Sequence, residues 1–196
     1  MKIRGKAIED VIKFDIIEHD GLLDLKANTN QLEVDFIISK LREFRESWIK
    51  QSVWIITPHT EQASLLTAKI SSLEDHEYYF SDLKLKIMTF DTCQWEERDY
   101  IFYSMVASEA KDRLAWIFLK SFATQNEESE GTIRAQRMNV WFSRAKETIH
   151  FVLSQPLDKF AWEIGNALLH YKNELESWKK RIVWQTDINS PMETKI

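Results

Sequence analysis

The sequence predicts an α/β domain: an open, mostly parallel sheet with helices on both faces. Three observations lead there. Short continuous apolar runs, rich in β-branched and aromatic residues, recur as "SVWIITP" (52–58), "LKIMTFD" (85–91), "YIFYSMVAS" (100–108) and "TIHFVLS" (148–154), the pattern of strands buried on both faces. Between them lie segments with a helical period. Polar or proline-bearing stretches separate the two kinds, and that alternation belongs to parallel sheets.

Taken in order, "FDIIEH" (14–19) reads as a short strand, and the polar "KANTNQ" around Asn30 can cap the helix that follows. From Gln31 to Ile49 apolar residues recur at Leu32, Phe36, Ile37, Leu41, Phe44 and Ile49, close to a helical period. The run "SVWIITP" is stopped by Pro58, and "HTEQASLLTAKISSL" (59–73) reads as a second helix. Two strands, 85–91 and 100–108, follow with a short link between them, and both read as internal to the sheet. The acidic "TQNEESEGT" (124–132) has no apolar period and reads as an exposed loop. A helix from about residue 133 to 146, the strand at 148–154 and a long helix over about 157–180 complete the alternation. Without a repeat or a clear linker, residues 1–185 read as one domain and 186–196 as a frayed tail.

Composition narrows the function classes. With 44% hydrophobic residues in 196, the chain can build a buried core, while no apolar run approaches the roughly 20 residues that cross a bilayer. The expectation is a cytoplasmic protein with no membrane partner. A single cysteine, Cys93, excludes an internal disulfide framework and a paired-cysteine zinc site. No metal site is expected, since the histidines lack ligand spacing. A net charge of -5 is no electrostatic footprint of a nucleic-acid binder, so any such contact is local.

Three stretches carry more. "IITPHTEQ" (55–62), "TFDTCQWEERD" (89–99) and "QRMNVWFSRAKE" (136–147) occur in that order, with a weaker "NQLE" at 30–33 upstream. They resemble, respectively, the "IITPY..Q" segment, motif V ("T.D.FQG.E.D") and motif VI ("RLNVALTRAK") of the second RecA-like domain of superfamily 1 helicases, in the group of RNA-decay and replication helicase-nucleases. The resemblance spans about residues 28–155. It implies a RecA-like fold and an ATP-dependent DNA or RNA helicase, with DNA favoured.

By that resemblance Arg144 matches the arginine finger that reaches the γ-phosphate of ATP, and Arg137 matches the other motif VI arginine. Guanidinium is always charged and offers forked donors to phosphate. Gln94 and Glu97 match the motif V pair on the nucleotide side. Thr57, Pro58, Thr89 and Thr92 fall where the family touches the nucleic-acid backbone, a sequence-blind contact for hydroxyls and amides. ATP and Mg2+ are implied for the full-length enzyme and neither for this chain alone, because no "GxxxxGK[ST]" loop or Walker B pair occurs in it. The partner domain that would carry them is expected in a missing N-terminal part. The alternative is a degenerate, non-catalytic remnant acting as a protein or nucleic-acid binding module.

Bland readings compete at several positions. Arg144 could be a surface arginine. Glu96 and Arg98 read as a solvated charged turn, His59 as a packing residue, and Cys93 as a small packed one.

Glycine occurs 4 times, where a usage of about 7% would give roughly 14, and tryptophan occurs 8 times. Trp95 falls on the glycine of "QG.E", Trp54 on a residue often glycine before "IITP", and Trp141 on a small residue of motif VI. One substitution class, glycine to tryptophan, accounts for both the excess and the deficit. The expectation is a gene in which UGA encodes glycine and has been translated as tryptophan.

Overall fold

The computed structural model describes residues 2–3, 6–7, 11–17, 23–24, 28–92, 96–106, 144–154, 165, 168–170 and 172–173, and the statements below concern these. The strands are β1 (Lys2–Ile3), β2 (Lys6–Ala7), β3 (Ile12–Ile16), β4 (Leu23–Asp24), β5 (Thr29–Asn30), β6 (Val53–Thr57), β7 (Lys86–Thr89), β8 (Arg98–Ser104) and β9 (Ala145–Leu153). The helices are α1 (Gln31–Glu46), α2 (Thr60–Ser71) and α3 (His76–Ser81), and a 3-10 turn spans Phe90–Thr92.

Five strands form one sheet in the order β3-β9-β8-β6-β7, and every pairing in it is parallel. This is the predicted open RecA-like α/β sheet. The short pairs β1-β2 and β4-β5 are antiparallel and stand outside it.

Alternation along the strands divides the core in two. Trp54, Ile56, Ile101, Tyr103, Ile149, Phe151 and Leu153 point to one face, joined there by Phe90 and Leu168. Val53, Ile55, Phe102 and Val152 point to the other, under Val34, Ile37, Leu41 and Phe44 of α1, Leu66 and Ile70 of α2, and Tyr79 of α3. Both faces are therefore covered, and the apolar runs are continuous for that reason. Each fully buried aliphatic or aromatic side chain contributes about 1.5–3 kcal/mol. The helical residues Gly165, Leu168–His170, Lys172 and Asn173 fall within the predicted C-terminal helix.

Caps explain the helix limits. The Asn30 side chain accepts from the Glu33 N–H at the start of α1, and α1 closes at Ser47, whose N–H donates to the Glu43 carbonyl. Pro58 follows β6 and His59 precedes α2 in extended backbone, without a side-chain cap bond.

Two expectations need correction, and one element was not expected. Strand β7 is not internal: it lies at the end of the order, beside β6 alone, and its exposed Lys86 and half-buried Ile87, Met88 and Thr89 suit that edge. The helix predicted to reach residue 146 does not, because Ala145, Lys146 and Glu147 already belong to β9, with Ala145 opposite Arg98 across an irregularity in the ladder. Their polarity hides a strand whose first residues are only partly covered. Helix α3 was unforeseen, since six residues of "HEYYFS" are too few for a period to show. The loop at 124–132, the tail and the whole segment from 133 to 143 lie outside the described residues.

Candidate functional site

Because the sheet is parallel, all amino ends of its strands share one edge of the domain and all carboxyl ends the other. The residues singled out in the sequence divide between them.

At the amino ends, the Arg98 N–H donates to the Arg144 carbonyl at 3.1 Å, joining the close of the 89–99 stretch to the close of the 136–147 stretch. Arg144 is half-buried, immediately before β9, and its Nε is shielded without a hydrogen-bond partner. Glu97 is exposed, and its carboxylate lies 3.9 Å from the Lys146 Nζ. Gln94, Trp95, Arg137 and Trp141 lie outside the described residues, as does Cys93.

Arg98 is not the solvated residue expected. Its side chain is 17% exposed, donates to Glu96 at 2.6 Å, and lays its guanidinium over the Trp54 ring at 4.9 Å. Glu96 also accepts from Lys86 at 2.9 Å, and that bond, more than any other contact, holds its carboxyl below the usual range. Behind them Ser52 donates from its N–H and its hydroxyl to Asp99 at 2.8 Å each, fixing the start of β6 against β8.

At the carboxyl ends, Thr57 and Thr89 face each other across β6 and β7, with Pro58 beside them. The Thr92 hydroxyl donates to the Thr89 carbonyl at 3.0 Å. The structure thus brings the four nucleic-acid candidates together. Thr57 itself is fully buried and its Oγ1 has no partner, so surface is offered by Pro58, Thr89 and Thr92.

Sequence reasoning missed a buried polar cluster at the same edge. Glu33, fully buried, accepts from the Ser104 and Ser154 hydroxyls at 2.6 Å each and from the Val106 N–H at 3.1 Å. Gln62 donates to Ser104 at 3.0 Å and to the Asn30 carbonyl at 3.1 Å, and accepts from the Asn30 N–H at 2.8 Å. In a capping box the glutamate takes that Asn30 N–H. Here Gln62 takes it, which leaves Glu33 to bind the ends of β8 and β9. Burial raises the Glu33 carboxyl to about 7 against the lowering effect of its donors. The only sequence signals were the "N..E" spacing and the glutamine closing "IITPHTEQ".

His150, to which nothing was assigned, lies 2.8 Å from Asp15 and stacks on Phe102 at 4.5 Å between ring centres. It borders an open cavity of about 340 Å³ lined by Lys13, Lys40, Glu43, Phe44, Tyr100 and Thr148. Among the described residues no cluster of acidic, cysteine or histidine side chains could hold a metal, and no helix is long and apolar enough to cross a membrane.

Comparison with known proteins finds a matching family model and similar solved structures. A family model described as "AAA domain" matches residues 9–155. Among solved structures, the C-terminal domain of a possible DNA helicase from Lactobacillus plantarum WCFS1 aligns with a TM-score of 0.41 and 10% identity, over 83% of this chain and 82% of that one. No curated protein matches.

Proposed function

Since the chain belongs to the AAA domain family over residues 9–155, as a second RecA-like domain of the superfamily 1 helicase type, we propose that it is the C-terminal motor half of an ATP-dependent helicase. It acts on nucleic acid, DNA in preference to RNA, and works against a first RecA-like domain that holds most of the nucleotide. The observation that supports this best is the backbone bond from Arg98 to Arg144, which ties the ends of the two motif stretches together at one edge of the sheet.

In this reading the nucleotide face comprises Gln94, Glu97, Arg137 and Arg144. The fixed charge of Arg144 would stabilise negative charge developing on the γ-phosphate as the domains close. ATP with Mg2+ supplies the phosphoryl group when bound, and this chain supplies positive charge and orientation. Pro58, Thr89 and Thr92, with Thr57 behind them, form the face toward the nucleic-acid backbone.

A domain without a phosphate-cradling loop has no means of turning over ATP unaided. The purified 196-residue chain is expected to show no ATPase rate above background in a coupled assay, and only weak nucleotide binding by calorimetry. Robust turnover by this chain would remove the half-motor reading. A fusion to a first RecA-like domain that carries the loop is expected to gain nucleic-acid-stimulated turnover, and a fusion that binds strands yet stays inert would favour the binding-module alternative.

A further inference from the structure

Helix α1 ends in a Schellman turn. The Ile49 N–H donates to the Phe44 carbonyl at 2.9 Å and the Trp48 N–H to the Arg45 carbonyl at 3.0 Å, while residue 48 has φ of 52°. Ile49 and Phe44 both pack into the core beneath, the apolar contact that accompanies this motif. Position 48 is therefore the left-handed residue just past the helix end, where glycine is strongly enriched because a Cβ is disfavoured there. The occupant is instead tryptophan, and its side chain is 77% exposed.

Among the other residues with positive φ, Asn28 is a type that tolerates the conformation and the N–H of Val106 is held by Glu33, while Lys84 carries the same Cβ penalty as residue 48. Trp48 combines the wrong backbone preference with an aromatic surface left in water. Inside the sheet, Trp54 is packed in the core under Arg98 and is 1% exposed, yet its indole N–H has no hydrogen-bond partner. Buried indoles usually find one.

We infer that position 48 is glycine in the protein as its source organism makes it, the codon being UGA read there as glycine, and that Trp54, Trp95 and Trp141 belong to the same class. The 4 glycines and 8 tryptophans of the chain fit one misread codon better than independent drift. Resting on the helicase reading, this deepens it: the organism's own domain carries glycine in both the 89–99 and 136–147 stretches' small-residue positions or beside them, and is a working half-motor instead of a decayed one.

The test reads the gene and the native protein. UGA at codon 48, with glycine in the corresponding peptide by mass spectrometry of protein from the source cells, is the expected result. UGG at that codon, or tryptophan in the native peptide, overturns the inference, and neither result depends on whether the domain is a helicase. A physical measurement stands beside it. Trp48→Gly in the tryptophan-bearing chain should raise Tm by about 2–8 °C, from the strain of a left-handed residue and the Tm scaling of a chain this size. A lower Tm would mean that the indole is supported where it stands, contrary to the inference.

Discussion

Replacing Arg144 with alanine, in a full-length enzyme that carries this domain with glycine restored at positions 48, 54, 95 and 141, lowers kcat by about 10³ or more if Arg144 acts as an arginine finger. That factor corresponds to roughly 4 kcal/mol of transition-state stabilisation. The size follows from the kind of interaction. A guanidinium aimed at a transferring phosphoryl group acts where charge develops, so its loss falls on kcat more than on substrate affinity. Lysine at the same position should recover little, because it lacks the forked donor geometry. Affinity for an oligonucleotide should stay nearly unchanged, since Arg144 lies at the edge of the sheet opposite Thr57 and Thr89. Steady-state ATPase and fluorescence anisotropy measure the two quantities. A variant with near-normal kcat would remove Arg144 from the nucleotide face.

The second large effect concerns pH. The Glu33 carboxyl titrates near 4.5 in the unfolded chain and at about 7 in the fold. The folded state therefore holds the proton more tightly between those values, and the stability this contributes is fully present below pH 4.5 and lost as pH rises through 7. The shift corresponds to about 3 kcal/mol. Urea unfolding should give a higher stability at about pH 5 than at about pH 8, on either side of the folded-state titration. Glu33→Gln, neutral at both, should flatten that difference. Carboxylates whose protonation is disfavoured in the fold, such as Glu96, act in the opposite sense only at lower pH, which is why the comparison begins above their range. An equal slope in wild type and variant would show that Glu33 is not the group responsible.

Legibility in the sequence followed burial. Strands β6 and β8 are covered on both faces, so their apolar runs were continuous and could be read directly, and α1 shows its period because one stripe faces the sheet while the other meets water. β7 has the same kind of composition as β8, yet an edge strand and an internal one differ by what lies beside them, which no local window contains. The start of β9 was hidden for a related reason: Ala145, Lys146 and Glu147 gain their extended form from pairing with β8, not from their own preferences.

The candidate site was legible as motifs and illegible as geometry. Arg144, Thr57 and Thr89 could be named from their neighbours in sequence, but their separation to opposite edges of the sheet follows from parallel topology alone. The Glu33 cluster was still less accessible. Its donors stand 71 and 121 residues away, and serine hydroxyls at strand ends carry no pattern that would announce them.

That separation has a mechanical meaning. β8 runs seven residues from Arg98 to Ser104, about 23 Å at the usual rise of a parallel strand, and it is flanked by β6 and β9 in unbroken parallel register from Tyr100 onward. A hydrogen-bonded slab of this kind resists bending along its strands. Between the two edges it is a strut: a push delivered beside Arg144 arrives beside Ser104 and Thr57 as displacement of the whole sheet, with little absorbed on the way.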